Sequence, residues 1–104
     1  ILPSEPRTTL TVARVGGGLS INSIPGSTWF EVDIRSTSPE PLRRLESALR
    51  GVVETAVLEA NAQRGRRTAG LECRIDVIGD RPCGELPPDH ALVMAAMSAT
   101  RLIG

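Results

Sequence analysis

The sequence has no lysine, no tyrosine and only one histidine, and it is very poor in aromatic residues. Its twelve basic side chains are all arginine and are balanced by twelve acidic ones, so the formal charge at neutral pH is zero. One Trp and one Phe offer almost no rings on which bases would stack. Because the chain lacks both a basic field and a stacking platform, we expect no nucleic-acid partner.

Long apolar runs and a cysteine framework are also missing. No run approaches the roughly 20 apolar residues that cross a bilayer, so we expect no membrane partner. Cys73 falls on the apolar side of an alternating segment, which predicts a reduced, buried thiol and a cytoplasmic protein. The chain begins without methionine and ends inside a helical pattern. We therefore interpret it as part of a longer protein.

Alternation and helical periodicity predict one α+β domain with the order strand, strand, helix, strand, followed by an additional C-terminal helix. The strands are predicted at 7–15, 27–36 and 71–79, the long helix at 36–65 with Ser38 as N-cap, and the last helix after Asp89 as N-cap. In the second strand, Phe30, Val32 and Ile34 point to one face. The long helix carries one apolar stripe, so we expect it to pack on that face.

The sequence carries little self-sufficient chemistry. His90 and the two cysteines lack the spacing of metal ligands, and the glycines at 16–18 match no phosphate-binding motif. Neither a catalytic residue nor a metal site is therefore predicted. Asn22 and Arg35 are the candidates, because an amide and a guanidinium together suit a carboxylate. They flank one hairpin, so we expect them to converge at one end of the sheet. A turn-forming role for Asn22 and a surface ion pair for Arg35 stay open.

The segment GGGLSINSIPGSTWFEVDIRS (16–36) resembles the signature of the peptidase dimerisation, or lid, domain of the zinc-dependent exopeptidase and deacylase superfamily. That superfamily includes tripeptide aminopeptidase, acetylornithine deacetylase and carboxypeptidase G. The matching positions are Gly17, Gly18, Asn22, Ile24, Pro25, Asp33 and Arg35. The later segment IGDRPCGELPPDHALVMAA (78–96) resembles the tripeptide-aminopeptidase-like branch.

The resemblance implies a partial ferredoxin-like lid with an antiparallel sheet. Residues 1–87 would be the lid or dimerisation portion, with the family's first strand and helix missing. Residues 88–104 would begin the helix that returns to the catalytic domain. Lids of this kind pair between subunits, so the resemblance implies a homodimer or a swapped oligomer as partner.

The resemblance also implies the chemistry of the parent enzyme, which would hold two zinc ions in its catalytic domain. The parent would cleave small peptides or N-acyl amino acids, and this chain alone would be inactive. Asn22 and Arg35 would bind the substrate carboxylate, with Gly17, Gly18 and Pro25 shaping the loop. An ester or carbamoyl amide hydrolase of the same superfamily would differ only in substrate. A stand-alone ferredoxin-like interaction or regulatory module is the alternative.

Overall fold

A computed structural model describes residues 5–64 and 69–104. The elements along the chain are β1 (Thr8–Gly17), β2 (Thr28–Ser36), α1 (Pro39–Gln63) and α2 (Ala91–Ile103). The two strands form one antiparallel sheet. The predicted α+β class is therefore confirmed.

A bulge in β1 keeps the apolar residues of the hairpin on one face. The register between the strands shifts between Val12 and Arg14. In β1 the spacing of apolar residues changes from two to three at this point, so the extra residue returns Val15 to the face of Val12. The resulting apolar cross-strand pairs are Leu10–Ile34, Val12–Val32 and Val15–Phe30. The predicted grouping of Phe30, Val32 and Ile34 is thus confirmed.

Helix α1 begins where the sequence predicts, with Ser38 at the N-cap position and Pro39 in its first turn. The Ser38 side chain makes no capping hydrogen bond. Instead, the Ser38 N–H donates to Ser36 Oγ at 3.3 Å. The helix contacts β2, and part of the predicted stripe is half-buried. The half-buried apolar residues of this stripe are Leu42, Leu45, Leu49, Val53, Val57 and Ala60.

The predicted third strand, at 71–79, is wrong: this segment has no strand structure. A strand needs a neighbour for its ladder hydrogen bonds. In a split β-α-β unit the two strands that flank the helix are separated by one strand position. No strand of the described residues fills that position. Cys73 lies in this unpaired segment and is exposed, so the predicted buried thiol is also wrong.

Asn61, near the end of α1, holds the start of the unpaired segment. Its Nδ2 donates to the Leu71 carbonyl at 2.9 Å, and the Leu71 N–H donates to Asn61 Oδ1 at 2.6 Å. One side-chain amide thus satisfies both backbone groups of Leu71, as a neighbouring strand would do. The Arg64 guanidinium also donates to the Ala69 carbonyl, so the direction of the chain after α1 depends on side chains rather than on a sheet.

Helix α2 is capped by His90 rather than by the predicted Asp89. The His90 Nδ1 accepts a hydrogen bond from the Leu92 N–H at 3.2 Å. The apolar side of α2 remains open, and Leu92 is 67% exposed. This helix therefore does not complete a core.

No apolar residue among those described is fully buried. The radius of gyration is 20.5 Å, whereas a compact domain of this length has about 13 Å. Phe30 is 51% exposed and Val15 is 75% exposed, both on the apolar face of the hairpin. The fold therefore displays an apolar face that these elements cover only in part.

Replacing Asn61 with alanine should release the segment after α1. Each neutral hydrogen bond contributes about 0.5–1.5 kcal/mol, so we expect Asn61→Ala, which removes two, to lower the free energy of unfolding by about 1–3 kcal/mol. Hydrogen exchange of the Leu71 amide should become faster in the variant. Gln63→Ala, an exposed change in the same helical turn, is the control. An equal hydrogen-exchange rate of the Leu71 amide in wild type and in Asn61→Ala would contradict the role given to Asn61.

Candidate functional site

The hairpin loop, residues 18–27, projects fully into solvent. Gly17 and Gly18 at its start have φ angles of 131° and 83°, a region that favours glycine. The Gly18 N–H donates to the Ser27 carbonyl at 3.3 Å and closes the loop. A Cβ on Gly17 would lie 2.6 Å from that same carbonyl oxygen. The two glycines therefore let the chain turn out of the strand at close backbone contact.

Asn22 lies within this loop among three exposed aliphatic residues. Leu19, Ile21 and Ile24 are between 95% and 106% exposed. The Asn22 Oδ1 accepts a hydrogen bond from Ser20 Oγ at 2.9 Å. Exposed aliphatic side chains of this kind favour contact with another surface. The loop thus presents one polar side chain within an apolar tip.

Arg35 lies at the opposite end of β2, beside the open end of the hairpin. Its partner across the sheet is Thr9. The adjacent pair is well anchored, because Thr8 is only 6% exposed and its hydroxyl lies 3.1 Å from that of Ser36. A strand held at this point fixes the backbone from which Arg35 extends.

The guanidinium of Arg35 remains available to a ligand. Its Nε donates to Asp33 Oδ2 at 2.6 Å, while the side chain is 78% exposed. Within the described ranges this is its only hydrogen bond. The two terminal nitrogens form the end of the guanidinium fork, which binds carboxylates in a bidentate manner. Asp33 thus orients Arg35 through Nε without occupying that end.

Asn22 and Arg35 do not converge, which corrects the geometry predicted from the sequence. The hairpin loop joins β2 at Thr28, and Arg35 follows seven residues later. At about 3.3 Å per residue the two ends are roughly 23 Å apart. The prediction failed because proximity to one hairpin in the sequence does not specify which end of the strand a residue occupies. In this conformation, Asn22 and Arg35 of one chain therefore lie at opposite ends of the hairpin.

A second polar cluster lies on the same sheet face, nearer the loop end of the hairpin. Arg14 Nη1 is 3.2 Å from Glu31 Oε1, and the Arg14 guanidinium lies 5.2 Å from the centre of the Trp29 ring. Gly16 faces Trp29 across the strands, and a Cβ there would meet the indole at 2.6 Å. The alternation of Trp29 and Glu31 was visible in the sequence, but their partners depend on the bulge.

The described residues do not form a metal site. No group of three His, Cys, Asp or Glu side chains in ranges 5–64 and 69–104 is arranged to hold an ion. His90 instead uses Nδ1 to cap α2. We therefore assign no metal-dependent step to these residues.

The comparison with protein families decides the identity of the hairpin and α1. The model of the peptidase dimerisation domain matches residues 2–61, more than half of the chain. The chain belongs to this family. The domain is thus part of the peptidase class of hydrolases, which is generally metal-dependent, and domains of this kind mediate self-association.

The match to the peptidase dimerisation domain includes Asn22 and Arg35 and ends within α1. Segment 71–79 and α2 lie outside it. None of the curated proteins compared with the chain matches it. Neither helix in the described part of the chain combines the length and apolar character of a membrane span.

Replacing Gly17 with alanine should distort the loop. The positive φ angle and the close Ser27 carbonyl both oppose a Cβ, so we expect Gly17→Ala to lower the free energy of unfolding by about 1–3 kcal/mol. Chemical denaturation measures this change. Gly26→Ala in the same loop is the control, because nothing lies within 4 Å of the Cβ it adds. Equal stability of the two variants would reject the strained geometry at Gly17.

Proposed function

We propose that the chain forms a dimerisation and substrate-positioning lid of a zinc-dependent peptidase or amide hydrolase that acts on small peptides or N-acyl amino acids. The observation that carries the proposal is the exposed guanidinium of Arg35, held at the anchored end of β2 inside the region matched by the family. A guanidinium with a free fork suits the carboxylate that such substrates carry.

Arg35 is the substrate-binding residue that the geometry supports best. Asp33 fixes Nε, so less rotational freedom is lost when a carboxylate binds the terminal nitrogens. Binding at a preset position orients the substrate for the reaction, which occurs elsewhere in the enzyme. Arg35 therefore acts in this proposal by orienting substrate and not by chemistry.

Asn22 is the second substrate-binding residue of the proposal. It lies in the hairpin loop, at the opposite end of β2 from Arg35. The apolar tip around it suits insertion against another surface of the enzyme, which would exclude water around the Asn22 amide. Gly17, Gly18 and Pro25 shape the loop that carries it. Lid closure would bring the loop to the substrate, as mobile lids do in other enzymes.

The zinc ions of the proposal belong to the catalytic domain, where they would activate water for hydrolysis. The described residues of this chain offer no ligand set for them. We assign residues 1–87 to the lid and residues 88–104 to the returning catalytic-domain helix. The open apolar side of α2 supports that assignment, since such a side needs a partner surface.

The segment at 78–96 resembles the tripeptide-aminopeptidase-like branch, so we propose that branch first; an ester or carbamoyl amide hydrolase of the same superfamily would differ only in substrate. The family match favours a lid over a stand-alone interaction module. Two free cysteines fit a reducing compartment, so we propose the cytoplasm.

Self-association would cover the apolar face of the hairpin. Both outer edges of the two-stranded sheet lack a strand partner among the described residues. Open edges and partly exposed Val12, Val15 and Phe30 favour pairing with another chain. A second copy of this domain offers the same surfaces, which suits a symmetric dimer.

Replacing Arg35 with alanine in the enzyme that contains this domain should impair substrate binding. A hydrogen bond to a charged group contributes about 1.5–3 kcal/mol, so kcat/KM should fall by about 10- to 100-fold. The zinc content should not change, because the proposal assigns the zinc ligands to the catalytic domain and not to the lid. Steady-state kinetics and metal analysis of the purified enzyme measure these effects.

Arg44→Ala is the matched control for this experiment. Arg44 is also 78% exposed and also makes one ion pair, with Glu40 at 3.2 Å. It lies on α1 rather than on β2. Equal kinetics of both variants and wild type, with folded protein, would reject the role of Arg35.

A further inference from the structure

Helix α1 has a second face of mostly small and apolar residues, separate from its half-buried stripe. These residues recur three or four positions apart and are all exposed. They line one shallow groove along the helix and are Ala48, Gly51, Val52, Thr55, Ala56 and Glu59. The Val52 side chain is 66% exposed. This surface, the outer face of α1, is therefore open to another molecule.

Gly51 lies at the centre of the outer face, and packing within the chain does not explain it. Glycine inside a helix is destabilising relative to alanine. A Cβ on Gly51 would meet nothing within 4 Å, so no described neighbour requires a glycine there. The distance at which two helices pack depends on the side chains at their contact. Gly51 therefore favours close contact with a helix of another molecule.

Opposite charges lie at the two ends of the outer face. Arg44 lies seven residues before Gly51. Glu59 lies seven residues after Val52. Two antiparallel copies of α1, related by a two-fold axis between Gly51 and Val52, would therefore place Arg44 opposite Glu59 at both ends. Two parallel copies would instead place like charges side by side.

The ion pairs within one chain leave this arrangement possible. Glu59 makes no ion pair with another residue of the described ranges. Arg44 pairs with Glu40 at 3.2 Å, but both side chains are largely exposed. An exposed pair of this kind contributes little free energy, so Arg44 can turn to a partner at small cost.

We propose that the outer face of α1 is a second self-association surface, on which α1 of another copy packs antiparallel. The partner is a second copy because the face complements itself in this orientation. Small residues meet at the centre, and opposite charges meet at both ends. The antiparallel arrangement also opposes the two helix dipoles. The contact uses no residue of the hairpin face and none to which substrate binding is assigned.

Charge reversal in a chain whose hairpin face is blocked tests the proposal. Every variant carries Val15→Glu, so the remaining self-association reports on α1. We expect this parent chain to form dimers at high concentration in sedimentation velocity. Glu59→Arg should raise the dissociation constant of the dimer on the order of tenfold, because two attractive pairs become repulsive. Arg44→Glu should have the same effect, and the two changes together should restore association.

Glu54→Arg is the matched control for the charge reversal. It makes the same change of charge in the same helix. Glu54 does not line the outer face, so the dissociation constant should stay at the parent value.

Gly51→Gln separates the stability of the helix from association. Glutamine forms helices better than glycine, so chemical denaturation should require more denaturant. The added side chain would hold the two helices apart, so the dissociation constant should rise by roughly several-fold. A variant that is more stable and yet associates less is the result expected of a glycine kept for contact between copies.

Three results would overturn the proposal. The first is a monomer at every concentration of the parent chain. The second is an equal dissociation constant for Glu59→Arg and Glu54→Arg. The third is a Gly51→Gln variant that associates as tightly as its parent. Comparing the chain with and without Val15→Glu tests the hairpin face separately, so either contact can fail without the other.

Discussion

The pairing of β1 with β2 determines which side chains of this domain lie on its apolar face and which lie on its polar face. The bulge between Val12 and Arg14 keeps the apolar side chains of both strands on one face. The opposite face then carries the polar residues, from the Trp29 cluster to Arg35. A register without the bulge would move Val15 to the polar face, opposite Trp29. Both the candidate site and the surface for a partner therefore depend on one extra residue in β1.

The apolar face of the hairpin is only partly covered, so burying it fully requires a partner surface. Helix α1 half-buries one stripe against β2, but no apolar residue among those described is fully buried. Hydrophobic stabilisation follows the area removed from water, at about 25 cal/mol per Å². A domain that leaves Phe30 half exposed has not gained that stabilisation in full. Membership of a dimerisation family agrees with a surface that a second copy would cover.

Patterns with strong local causes were predictable from the sequence. The alternation of Phe30, Val32 and Ile34 and the Pro39 start of α1 are settled by neighbouring residues, and both predictions are confirmed. Apolar and polar residues alternate equally well in segment 71–79. A strand there would also need a neighbouring strand, which the local sequence does not supply. The separation of Asn22 from Arg35 was missed because it depends on where the hairpin turns. The hydrogen bond between Ser20 and Asn22 could not be predicted from the sequence, because it depends on side-chain geometry.

Sedimentation velocity of this chain over a hundredfold range of concentration tests the central claim, that the apolar face is covered by a second copy. We predict that the dimer fraction rises with concentration and that amides of β1 become protected from hydrogen exchange in the dimer. Val15→Glu, which places a charge on that face, should shift the equilibrium toward monomer. A monomer at every concentration, with β1 amides already protected, would contradict the account.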